Sequence, residues 1–295
     1  MNRNLCSCNG LVLLAFGKHI ILWNPLMTRS TKVLELQRLQ MFKPGGLCYD
    51  PSSKDYKVVL LLFQISIIDN IGVQYAIFSG LKNKGWRKLS FPFKFCTSPR
   101  AGVNFNNTLH WIVRHAFMSP SFSLVDVDIV IYYDLVDDAF ERLPTPRPNS
   151  SEEDNYIDGT RIIEGCFCLG QRNEERKTIQ VSVMKEYGNP ESWVTIFSIS
   201  ILGFGLYYMH NLTFFSLDKT RTVTIMCKKY RRIYVYDVEE DKVEERFSIP
   251  EDEYDKGLVG MCFYAQSFEL PYGVIRRKGE RHNAGLISIN TFRSI

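Results

Sequence analysis

The fold class this sequence predicts is all-β, a β-propeller, and three observations predict it. A unit recurs about every fifty residues, each period holds about four strand-like runs, and helical periodicity is nearly absent. The turn-opening residues Asn24, Ser79, Asp134, Lys185 and Asp237 stand 55, 55, 51 and 52 residues apart. The expected architecture is five to six four-stranded blades of the kelch length class, incompletely closed. It forms a single domain over 1–275, followed by a tail over 276–295.

Each unit is an apolar strand, a polar turn and a second strand opened by a large apolar residue. The first pairs Ile20-Ile21-Leu22-Trp23 with Val33-Leu34 across Asn24-Pro25. The second pairs Tyr75-Ala76-Ile77-Phe78 with Trp86-Arg87-Lys88-Leu89, and the third pairs the run from Ile129 to Tyr133 with Phe140-Glu141-Arg142-Leu143. The fourth joins the run from Ile179 to Met184 to Trp193 through Phe197, across a turn from Lys185 to Ser192 holding Gly188-Asn189-Pro190. The fifth joins the run from Ile233 to Tyr236 to that from Val243 to Phe247. Ahead of each lies another hairpin-like pair, closed by turn chemistry such as Asp50-Pro51-Ser52-Ser53, Asn106-Asn107 or Asp218-Lys219.

Patterning within the strands separates a propeller from a sheet with one wet face. Val58 to Phe63 is apolar at every position, which demands burial on both faces, as neighbouring blades provide. The last strand of each unit is expected to mix charge into its apolar pattern and to form an outer edge. Thr31 to Phe42 fits neither the helical nor the strand period. Pro144 to Asp158, with three prolines and the run Glu152-Glu153-Asp154, reads as a long solvated loop. Leu258 to Phe263 reads as filler for an open blade or as the start of a sixth. A first blade lacking its first strand would leave an edge unpaired, so low stability or self-association is expected.

Composition narrows the function classes. Apolar residues make up 45% and charged residues 23%, ordinary for a globular chain, and the net charge of +4 is too scattered for a nucleic-acid footprint. The apolar run from Leu11 to Gly17 lacks a cleavage site and reads as the opening of the fold rather than a leader. No run reaches the length of a membrane helix. Eight cysteines in a chain able to build its own core read as reduced thiols, which suggests a cytoplasmic or nuclear location. Cys6 with Cys8 and Cys166 with Cys168 could in principle share a zinc ion, but Cys-x-Cys spacing favours packing.

Chemistry is sparse. The five histidines (His19, His110, His115, His210, His282) form no metal pair at helical spacing, and there is no nucleophile elbow or phosphate-cradling loop. His110 beside Trp111 reads as packed rather than as a base, and Asp134, Asp137 and Asp138 as turn residues. The basic runs from Lys228 to Arg232 and from Arg276 to Arg281 read as a solvated turn and as tail, which argues against nucleic-acid or membrane binding. No catalytic, cofactor-binding or metal residue is assigned, and no cofactor is expected. A propeller enzyme, hydrolase or oxidase, is the alternative reading.

Seven segments, in order, resemble the associated domain that follows the F-box in plant F-box and kelch-repeat proteins. They are Ser7-Cys8-Asn9-Gly10-Leu11, Leu22-Trp23-Asn24-Pro25, Gly46-Leu47-Cys48-Tyr49-Asp50 with Asp55-Tyr56-Lys57-Val58-Val59, Asn107-Thr108-Leu109-His110-Trp111, Phe140-Glu141-Arg142-Leu143-Pro144, Met184-Lys185-Glu186-Tyr187-Gly188 with Glu191-Ser192-Trp193, and Tyr234-Val235-Tyr236-Asp237. The resemblance implies a non-enzymatic substrate-recognition module of a cullin-RING ubiquitin ligase, whose partner is a protein substrate for ubiquitination. An F-box is expected before the Cys-Asn-Gly block and none is read in the sequence, so docking on the ligase adaptor is expected only with an upstream F-box. Contact loops are expected among propeller connections, chiefly Pro144 to Asp158 and Glu186 to Ser192.

Overall fold

The computed structural model describes residues 2–36, 40–65, 72–82, 85–93, 102–106, 108–118, 124–146, 156–173, 176–200, 212–217, 222–227, 232–248, 261–265 and 284–288. Blade 1 holds β1 (Asn2–Cys8), β2 (Leu11–Phe16), β3 (His19–Asn24) and β4 (Arg29–Glu35). Blade 2 holds β5 (Gln40–Asp50), β6 (Asp55–Ile65), β7 (Gly72–Gly80) and β8 (Arg87–Leu89). Blade 3 holds β9 (Val103–Phe105), β10 (Thr108–Met118), β11 (Leu124–Asp134) and β12 (Ala139–Leu143). Blade 4 holds β13 (Tyr156–Ile163), β14 (Cys166–Asn173), β15 (Thr178–Met184) and β16 (Trp193–Ser200). Blade 5 holds β17 (Leu212–Leu217), β18 (Thr222–Cys227), β19 (Arg232–Asp237) and β20 (Lys242–Ser248). A sixth sheet pairs β21 (Met261–Ala265) with β22 (Ala284–Ser288).

Each of the five full sheets is an antiparallel meander, and their first strands meet around a shared axis. β1 packs on β5, β5 on β9, β9 on β13 and β13 on β17, while β21 returns to β1. The chain is therefore a β-propeller, as the repeat predicts. Blade 1 corrects the expectation of a missing strand, because residues 2–8 form β1 and fill the innermost position. Residues 276–295, read as tail, contribute β22, whose Ala284 to Ser288 pair with β21. Of the predicted filler, Met261, Cys262 and Phe263 lie in β21 and belong to the sixth sheet, and residues 258–260 lie outside the described residues. The ambiguous stretch around residues 31–42 is strand at both ends, in β4 and β5.

The cores lie between blades, and the two-residue period of each strand deals side chains alternately to its two neighbours. On β6, Val58, Leu60 and Leu62 join Leu11, Leu13, Ile20 and Leu22 of blade 1, while Val59 and Leu61 join Leu109, Trp111 and Ile131 of blade 3. On β14, Phe167 and Leu169 face blade 3, and Cys168 turns toward Tyr234 and Tyr236 of blade 5. This explains why the middle strands carry unbroken apolar runs. Where β5 meets blade 3, the side chains of Leu109 and Trp111 lie against the Gly46 backbone and leave no room for a side chain there. A Cβ on Gly46 would stand 2.8 Å from Leu109 Cδ2 and 2.9 Å from Trp111 Cζ2.

The repeat's turns share a device. Asn24, Asp134 and Asp237 end their strands, and each side-chain oxygen accepts a backbone N–H from two or three residues on: Met27 N at 3.1 Å, Val136 N at 2.7 Å and Glu239 N at 2.8 Å. The residue closing each turn, Thr28, Asp138 or Asp241, is left-handed. The hairpins at Asn9-Gly10 and Glu164-Gly165 have positive φ at both positions, the twist that suits two-residue connections. No helix among the described residues is long and apolar enough to cross a membrane.

A buried polar junction and a capped turn between blades 3 and 4

His110 on β10 is fully buried. Its Nδ1 faces the Val103 carbonyl at 3.3 Å, and a carbonyl can only accept, so Nδ1 carries the proton. Nε2 therefore accepts from the Tyr187 hydroxyl at 2.6 Å, with Thr108 Oγ1 at 3.3 Å. The rings of Phe167, Phe105 and Tyr132 surround the pair. Burial holds the imidazole down at about 4, so it is neutral near pH 7. Both ring nitrogens are engaged within the packed interior.

Tyr187 belongs to the turn at residues 185–192, and its inward side chain anchors that turn to blade 3. The rest of the turn is capped from within. Asn189 Oδ1 accepts from Glu191 N at 3.0 Å and Asn189 Nδ2 donates to Glu186 Oε2 at 2.8 Å, while Ser192 Oγ accepts from Glu186 N at 3.0 Å. Lys185 N donates to Ser192 O at 3.1 Å and closes the hairpin. Gly188, at φ +85°, makes the bend that sends Tyr187 inward while Glu186, Asn189 and Glu191 stay exposed. Pro190 to Ser192 form one 3-10 turn, and Pro190 sits where its missing N–H is not needed.

The second predicted contact loop begins beside this turn. Trp193 Nε1 donates to the Pro144 carbonyl at 2.9 Å, and Gln171 Nε2 to the Pro146 carbonyl at 3.1 Å. Residues 147–155 lie outside the described residues. The predicted loop overran its C-terminal end, because Tyr156 to Asp158 are part of β13 and Asp158 is buried. Its carboxylate takes the Arg172 Nε at 3.1 Å and a second, shorter bond from the same guanidinium. That partner lies 14 residues further on, so Asp158 read from its neighbours alone looks like a loop residue.

The other singled-out residues sort clearly. Asp134 opens a turn and Asp137 is exposed at its tip, as read. Asp138 does more than turn the chain, since it accepts from the Tyr133 hydroxyl and from Arg87 of blade 2. Arg87 holds its carboxyl below the usual range. Cys6 and Cys8 pack in the core between blades 1 and 2, and Cys168 packs between blades 4 and 5, so the two Cys-x-Cys pairs do not meet. Cys6, Cys8, Cys48, Cys166 and Cys168 are thiols rather than disulfides. Among the described residues no group of three or more His, Cys, Asp or Glu converges to hold a metal. The run from Lys228 lies outside the described residues up to Arg232, which is exposed, and that from Arg276 to Arg281 lies wholly outside them.

The chain belongs to the F-box associated beta propeller domain family, which matches residues 2–269. It is 31% identical over 206 residues to the F-box/kelch-repeat protein At3g23880 of Arabidopsis thaliana, covering 65% of this chain and 51% of that protein. It is 27% identical over 198 residues to F-box protein CPR1 of the same organism, covering 60% of this chain and 46% of that one. The chain thus spans about half the length of each of these relatives. Among solved structures, the Mitotic Checkpoint Complex is similar at a TM-score of 0.47 and 8% identity, over 84% of this chain and 77% of that one.

Proposed function

We propose that the chain is a non-enzymatic protein-recognition module that selects a target for a cullin-RING ubiquitin ligase when an F-box is joined to it. Membership of the F-box associated propeller family over residues 2–269 carries this reading. The rigid turn at residues 185–192 supports it, because a recognition loop held in one shape loses less entropy on binding. The thiol state of the described cysteines agrees with a cytoplasmic or nuclear location. Proximity labelling with the full chain in Arabidopsis thaliana cells tests the reading. The expected result is a reproducible set of labelled proteins that accumulate under proteasome inhibition, with the ligase adaptor labelled only when an F-box is fused upstream. Labelled proteins whose turnover never depends on the chain would contradict it.

A further inference from the structure

The outer strands of the five full blades differ in one respect that bears on binding. β4 carries Arg29, Lys32 and Glu35, β8 carries Arg87 and Lys88, β12 carries Glu141 and Arg142, and β20 carries Lys242 and Glu244. Charges on an outer strand oppose the addition of another strand. β16 reads Trp193-Val194-Thr195-Ile196-Phe197-Ser198-Ile199-Ser200 and carries none, so the expectation of mixed charge on every last strand fails in blade 4.

β16 ends the order β13-β14-β15-β16, and no described strand pairs along its outer side. Val194 and Ile196 are 47% and 39% exposed, two of the six large apolar side chains most open to solvent among the described residues. A bulge sits at Ile196, but β4 and β20 are bulged at the same place, so the missing charge is what sets β16 apart. The N-terminal end of β16 leaves the turn at residues 185–192, where the exposed carboxylates of Glu186 and Glu191 outnumber the one exposed cation, Lys185. A strand added antiparallel to β16 would bring its own C-terminal end to those carboxylates.

We propose that β16 is a docking edge for an extended segment of a partner protein, an uncharged β-branched run followed by Lys or Arg that pairs antiparallel with β16 and sets its cation against Glu186 and Glu191. Main-chain hydrogen bonds supply affinity, and the acidic turn fixes direction and register. A second copy of this chain fits less well, because antiparallel β16 strands would lay each acidic turn beside the uncharged end of the other, Ser198 to Ser200. The proposal rests on the reading of the chain as a protein-recognition module and names the part of it that binds.

The test uses the full chain and a fluorescein-labelled peptide, Thr-Val-Thr-Val-Thr-Val-Lys-Lys, with a Glu-Glu-ended counterpart, followed by fluorescence anisotropy. The Lys-ended peptide is expected to bind about fivefold more tightly at low salt, a difference of about 1 kcal/mol from exposed charge pairs. Val194→Lys and Ile196→Lys are expected to weaken binding at least about tenfold with unchanged melting temperature, while Ser30→Lys on β4 changes nothing. Equal binding by the Val194→Lys chain, or no preference for the Lys-ended peptide, would overturn the proposal. So would a dimer in sedimentation that Val194→Lys abolishes, which would assign the edge to a second copy. A protein target retained at full affinity by Val194→Lys overturns this edge alone, whereas failure to find any target overturns the recognition reading itself.

Discussion

His110 Nε2 lies 2.6 Å from the Tyr187 hydroxyl, a hydrogen bond that joins the second strand of blade 3 to the capped turn of blade 4 across 77 residues of sequence. It orders the turn from beneath. Tyr187→Phe leaves a buried acceptor without its donor and should cost about 1–3 kcal/mol. Amide exchange in residues 185–192 should rise well before global unfolding, and exchange no faster than in the unsubstituted chain would show the turn is held by its own caps.

The same histidine sets a pH dependence. Burial depresses its folded-state value to about 4 from 6.5, so the unfolded chain takes up the extra proton first as pH falls. The contribution is complete above pH ~6.5, declines as pH drops toward ~4 and is constant below, amounting to about 3 kcal/mol. Denaturant midpoints measured from pH 7.5 to 4 should show this decline, and His110→Phe should flatten it. A decline of the same size in that variant would assign the effect to other groups.

Gly46→Ala places a methyl group within 3 Å of both Leu109 and Trp111. Both side chains are buried in the core between blades 2 and 3, so the overpacking should cost about 1–3 kcal/mol. Thermal unfolding by circular dichroism checks this, and an unchanged melting temperature would mean the two blades can part.

Arg172→Met removes the guanidinium that faces Asp158 deep in blade 4, where the two side chains are 3% and 1% exposed. Loss of this buried charge partner should cost about 3–5 kcal/mol, and the double variant with Asp158→Leu should recover much of it. Urea unfolding of the two variants measures the recovery.

Thiol chemistry reports on the packing between blades. Burial pushes the Cys168 thiol up to about 12 and the Cys48 thiol higher still, whereas Cys166 is partly open. Iodoacetamide at pH 8 should alkylate Cys166 in the native chain and spare Cys168 and Cys48 until unfolding, as read by peptide mass spectrometry. Early modification of Cys168 would place it outside the core.

The blades were legible because their middle and outer strands carry the signals that sequence transmits locally. Ile20 to Trp23 and Val58 to Phe63 are apolar on both faces, and Asn24, Asp134 and Asp237 mark turns by bonding to their own neighbours. Innermost strands were harder. β1 opens with the polar run Asn2-Arg3-Asn4, which lacks an apolar alternation, and β13 holds Asp158, which resembles a loop residue because its partner Arg172 lies 14 residues on. The same held at the junction between blades 3 and 4. The packed state of His110 could be read from its strand, but Tyr187 as its partner could not, since nothing local links two residues in different blades.

Whether this propeller holds another protein is decided by isothermal titration of the full chain against a target recovered by proximity labelling. Saturable one-to-one binding is expected, and it is lost when residues 185–192 are replaced by a plain two-residue turn in a chain that still unfolds cooperatively. Undiminished binding after that replacement would remove the junction from recognition, and conversion of the bound protein to a chemically altered product would make the chain an enzyme.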